Sequence, residues 1–155
     1  MATNLEHMQI MMEEIGPAMP EIEAVIQSEE KNWAIQFEDQ SIVMLEWAES
    51  PDRVVLTAML GVPSESMQLS VYEALLCYNL LWKDTGGVKM ALSGPGGELV
   101  LLYELFASNL NRNELQTVLI NFVSISQVWS VYVTGEGDEP AGQLPSPTDM
   151  LHLGA

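Results

Sequence analysis

Positive charge is what this sequence has least of. Lys31, Arg53, Lys83, Lys89 and Arg112 are its only cations against 22 carboxylates, a formal charge of −17 over 155 residues. Binding to nucleic acid or to an anionic membrane requires cationic groups that neutralise phosphates, so both are excluded as a main activity. Cysteine is nearly absent too. Cys77 alone allows no internal disulfide and favours a reducing compartment. The two histidines, His7 and His152, stand at opposite ends of the chain, so no Cys/His spacing of a zinc site exists. The start, Met1–Ile15, lacks the basic and continuously apolar stretches of a secretory signal. No uninterrupted apolar run reaches the roughly 20 residues that span a bilayer. These absences predict a soluble cytoplasmic protein without metal or other cofactor.

What is present is apolar: 48% of the residues, with ten Met and four Trp. High charge accompanied by this much apolar content argues for a folded domain, and the length suits one domain with a real core. The charge serves solubility, or more sharply keeps a sticky surface from self-association.

Period-two alternation marks three strands in succession. Trp33, Ile35 and Phe37 share one face of Asn32–Glu38; Val43, Leu45 and Trp47 share one of Ser41–Ala48; Val54, Leu56, Ala58 and Leu60 share one of Arg53–Leu60. Their short polar connectors make neighbours antiparallel. The second and third are apolar on both faces, so one face calls for a cover beyond the domain's own core.

A helix over Thr3–Ile15, capped by Thr3 or Asn4, aligns Leu5, Met8, Met12 and Ile15 and stops at Gly16-Pro17. Glu21–Lys31 fits either a short helix or an extended lead-in. Pro63-Ser64 opens a helix over Met67–Trp82 whose apolar surface exceeds one stripe. Cys77 lies within it and reads as an inert buried thiol. Strands at Val88–Ser93 and Glu98–Phe106 flank Gly94-Pro95-Gly96-Gly97, a hairpin turn rather than a phosphate loop, since no Lys-Ser/Thr pair or helix follows. A last helix spans about Arg112–Val133. From Thr134 onward Gly, Pro, Ser and acidic residues read as a mobile terminus, giving a domain over residues 1–133 and a tail over 134–155. Adjacent carboxylates such as Glu13-Glu14 point apart on a helix or strand, so no catalytic set emerges.

The order helix, three strands, apolar helix, two strands, helix defines an α+β fold with a mainly antiparallel sheet. Over Leu5–Val133 it resembles the class I type III secretion chaperones, the Tir-chaperone (CesT-like) family. The resemblance rests on Leu75-Leu76-Cys77-Tyr78-Asn79, on the Gly-x-x-Met-Ala-Leu strand Gly87–Leu92, on Gly97-Glu98-Leu99-Val100-Leu101, and on the final helix through Trp129. Ser93–Gly97 departs from the family's acidic turn, and the Pro-rich tail extends beyond its usual domain.

The resemblance implies a homodimeric, non-enzymatic chaperone in the cytoplasm of a Gram-negative bacterium, holding the N-terminal region of a secreted effector extended. It places Val71, Leu75, Tyr78 and Val88 near a dimer interface. Leu5, Met8, Met12, Trp33, Ile35, Val43 and Leu45 become candidates for the effector groove. A scaffold or regulatory protein of the same fold, or a domain binding a small molecule in an apolar pocket, would share the same surface chemistry.

Overall fold

A computed structural model describes residues 4–135. Helix α1 (Leu5–Ala18) leads into four strands, β1 (Ile22–Glu29), β2 (Asn32–Phe37), β3 (Ile42–Ala48) and β4 (Arg53–Gly61). A single 3-10 turn (Glu65–Met67), α2 (Gln68–Leu80) and the short α3 (Trp82–Thr85) follow, then β5 (Lys89–Leu92), β6 (Leu99–Phe106) and α4 (Arg112–Thr134). The six strands form one antiparallel sheet in the order β1-β2-β3-β4-β6-β5.

Local chemistry sets the helix ends. Asn4 Oδ1 accepts from the His7 N–H at 3.0 Å, and Asn111 Oδ1 from the Glu114 N–H at 2.9 Å, each satisfying a donor of a first turn. Gly135, at φ +70°, closes α4 in the left-handed region.

One face of the sheet is covered. Trp33, Ile35 and Phe37 of β2, Val43, Leu45 and Trp47 of β3, and Val54, Leu56 and Leu60 of β4 are buried, together with Met8, Met11, Met12 and Ile15 of α1. Helix α4 contributes Leu115, Leu119, Phe122 and Trp129 to the same core. It is long and apolar enough to cross a membrane by length and composition, but half of that stretch is buried in the domain. Helix α2 lies by the β5 edge, with Tyr78 meeting Trp129 edge to face at a centroid distance of 4.8 Å.

Four expectations change. Glu21–Lys31 takes the extended alternative and pairs with β2 as a strand, β1, so the sheet has six strands where five were expected. Helix α1 does not stop at Gly16-Pro17; Pro17 sits in its last turn and the helix continues to Ala18. The helix expected over Met67–Trp82 breaks at Leu81 into α2 and α3. Cys77 is exposed, because the apolar residues of α2 encircle it while only Val71, Leu75 and Tyr78 are buried. The tail beyond residue 135 lies outside the described residues.

Candidate functional site

Among the described residues no helix covers the sheet's second face. Registration places Ile26, Ala34, Met44, Thr57 and Leu102 in one cross-strand row, all directed away from the helix layer. Ile26, Ile42, Met44 and Met59 stand exposed on this face. Beside this row Arg53 Nε donates to Glu104 Oε1 at 3.1 Å, and Lys89, which pairs with Leu102 at the row's β5 end, has its Nζ 3.7 Å from Glu104 Oε2.

Among the described residues the sheet ends at the β1 edge without a further strand, and α1 runs beside it. Between them lies a groove of about 420 Å³. Met12, Ile22, Val25 and Trp33 give it apolar walls, and Glu13 and Glu23 stand among its polar residues. Neither carboxylate has an ion-pair partner among the described residues. The cations are engaged elsewhere: Lys31 with Glu49, Arg53 and Lys89 with Glu104, Arg112 with Glu14, and Lys83 over the Trp82 ring.

A second groove, of about 740 Å³, opens where β3 and β4 part. Their pairing runs from Ala48↔Arg53 only as far as Met44↔Thr57, and beyond that point α4 shows between them. Its side chains take up polar groups there. Gln127 Nε2 donates to Asp39 and to Ser41 Oγ, and Ser130 Oγ donates to the Leu60 carbonyl at 3.1 Å.

The third surface is the outer side of α2. Leu69, Leu76 and Leu80 stand 69–79% exposed in a stripe at spacings of seven and four, with Trp82 beyond them. An apolar cleft of about 150 Å³ between α2 and β5 continues it, lined by Tyr72, Leu76, Met90 and Leu92 among others. The join between these two elements is specific. Asn79 Oδ1 accepts from the Met90 N–H at 2.7 Å while Asn79 Nδ2 donates to the Met90 carbonyl at 3.0 Å, so one amide caps the middle of the β5 edge.

Of the side chains expected in a groove, Met12 and Trp33 line the α1–β1 groove, and Leu5 is half-buried at the start of α1. Met8, Ile35, Val43 and Leu45 are instead fully or almost fully buried in the core, because the strand face carrying them turns toward the helices. Val71, Leu75, Tyr78 and Val88, expected at a dimer interface, are likewise buried within this chain. Burial pushes the Tyr78 hydroxyl up to about 12. Ile22 and Val25 of β1, half-buried against the core, line the same groove as Met12 and Trp33, and the exposed apolar residues of α2 are Leu69, Leu76 and Leu80. Their excess over a single apolar stripe was the available signal for α2.

Chemically, these surfaces offer apolar contact, free strand backbone and negative charge. Among the described residues no group of His, Cys, Asp and Glu is placed to hold a metal ion. The model of the Tir chaperone protein (CesT) family matches residues 23–130, and the chain belongs to that family of type III secretion chaperones. No curated protein sequence matches it. Solved structures share its fold. The ExsC–ExsE complex matches with a TM-score of 0.68 at 16% identity, over 88% of this chain and 100% of the other. The HopA1–SchA chaperone–effector complex matches with a TM-score of 0.61 at 11% identity, over 79% and 92%.

Proposed function

We propose that the chain acts in the bacterial cytoplasm as a homodimeric, non-enzymatic chaperone that holds an N-terminal segment of a secreted effector extended along the α1–β1 groove. The observation carrying this reading is the coincidence of an unextended strand edge with an apolar groove beside it. An extended guest can add a strand to β1 through main-chain hydrogen bonds while alternate side chains enter the groove. Glu13 and Glu23 favour a guest carrying Lys or Arg next to its apolar anchors. The chaperone–effector complex among its structural relatives supports a guest of this kind.

The dimer rests on α2. Leu69, Leu76, Leu80 and Trp82 form an exposed apolar patch that a second copy covers, and the cleft beside β5 receives part of that contact. The residues beyond Gly135 are not needed for either contact.

The test uses the secreted protein recovered with the chaperone from its native cytoplasm. A peptide spanning that protein's N-terminal region is titrated against wild type, Ile22→Asp and Val25→Asp. Both variants are expected to weaken binding at least about tenfold, since each removes an apolar contact worth about 1.5–3 kcal/mol. Unchanged affinity in both folded variants places the guest elsewhere.

A further inference from the structure

The groove between β3 and β4 is joined to the β1 edge by the sheet's open face. Registration sets Ala24, Gln36 and Ile42 in one cross-strand row and Ile26, Ala34 and Met44 in the next, so two rows lead from the edge strand to the groove. Neighbouring strands lie about 4.8 Å apart, so a chain added outside β1 would sit about 14 Å from β3, a gap that about five extended residues cross.

The groove combines apolar walls with negative charge. Ile42, Met44 and Met59 stand 41–56% exposed in it, with Val131 of α4 also in the lining. Pairing between β3 and β4 ends at Met44↔Thr57, so beyond that point alternate main-chain groups of the two strands face the gap rather than each other. Asp39 and Glu98 are the charged residues of the lining, and neither has an ion-pair partner among the described residues. Asp39 is held in place: its Oδ1 accepts from the Ser41 N–H at 2.9 Å, and its carboxylate also accepts from Gln127 Nε2. All five cations of the chain lie outside the lining.

Building on the chaperone reading with a guest at the β1 edge, we propose that this groove is a second seat for the same guest. After pairing with β1 the guest crosses the open face and lodges apolar side chains, with Lys or Arg beside them, among Ile42, Met44 and Met59. Charge selects this occupant. Two carboxylates without partners attract a cationic segment, whereas a second copy of this chain would bring its own charge of −17 and set like against like. Salt screens that attraction, so added salt loosens the second seat. Two seats filled by one chain also raise the overall affinity, since the second engages at an effective concentration set by the crossing segment.

The experiment follows the methionine methyl resonances of the full chain as a synthetic peptide is added, one spanning the N-terminal region of the secreted protein recovered with the chaperone. Met12 lines the groove at β1, and Met44 and Met59 line the one between β3 and β4, so each seat has its own reporter. All three are expected to shift at saturation. Ile42→Ser/Met59→Ser should weaken binding about tenfold while the Met12 shift persists. Asp39→Asn/Glu98→Gln should weaken it about threefold and flatten its salt dependence. A peptide that shifts Met12 but leaves Met44 and Met59 in place overturns the second seat and leaves the β1 reading standing. The reverse pattern overturns the crossing from β1, and no shift at any of the three removes both readings. Full affinity in Ile42→Ser/Met59→Ser would also overturn the second seat. So would Met44 and Met59 shifts that grow with protein concentration alone, which assign the groove to another copy.

Discussion

Replacing Asn79 by Ala tests the join between α2 and β5 most directly. The substitution removes two hydrogen bonds, of 2.7 and 3.0 Å, and leaves the Met90 N–H and carbonyl without their partner. A hydrogen bond contributes about 1 kcal/mol net, and each orphaned buried group adds about 1–3 kcal/mol. The site is part-buried, so water recovers some of the second cost. The expected loss is about 2–3 kcal/mol, or roughly 5–10 °C in Tm for a chain of this size. Asn79→Asp should be no better, since it keeps the acceptor but sets an anion against the Met90 carbonyl. Urea unfolding followed by Trp fluorescence measures the loss directly. A decrease below about 0.5 kcal/mol with an unchanged m-value would refute the assignment, because surface substitutions without a structural role fall in that range.

Leu76→Asp/Leu80→Asp should convert the proposed dimer to a folded monomer in sedimentation equilibrium, since both side chains are about 70–80% exposed in the single chain; a wild type already monomeric at micromolar concentration removes the dimer. Leu75→Asp, at 2% exposure, should instead prevent folding, with loss of the near-ultraviolet circular dichroism. Tyr78, raised by burial from 10.0 to about 12, stabilises the fold fully below pH 10 and loses that contribution as pH rises toward 12, because the unfolded chain deprotonates first. The difference amounts to about 2–3 kcal/mol; unfolding free energies of wild type and Tyr78→Phe from pH 9 to 12 should therefore diverge in pH dependence, and parallel curves would contradict the shift.

The strands β2, β3 and β4 were legible because each buries a strict alternation against the helices. Strand β1 was not. Its register shifts between Ile22 and Ala24 and between Gln27 and Glu29, which breaks the period of two and leaves Ile22, Val25 and Ile26 at helix-like spacing. The covered face of β3 was ambiguous for a different reason: Ile42 and Met44 are as apolar as Val43 and Leu45, and only the placement of α1 and α4 decides between them. The same ambiguity hid the orientation of α2, where Leu75 is buried and Leu76 exposed. The α1–β1 groove was half visible, through Met12 and Trp33. Asn79, inside the motif that carried the family resemblance, went unassigned because its partner is backbone and leaves no mark in the sequence.

The two helices that cover the sheet are seated on different materials. Under α4 the core is branched and aromatic, with Phe122, Trp129 and Tyr132 beside Leu115, Val118 and Leu119. Around α1 it is largely methionine, Met8, Met11, Met12 and Met19 all being buried. Unbranched thioether chains change rotamer at little cost, whereas fixed ring contacts do not. The core is thus graded in stiffness, and local opening should follow the gradient. Amide hydrogen exchange should find α4 among the last segments to open and α1 among the first. A helix that yields by small rotamer changes would let the proposed binding edge at β1 fit guests of differing side-chain size while the sheet and α4 hold still.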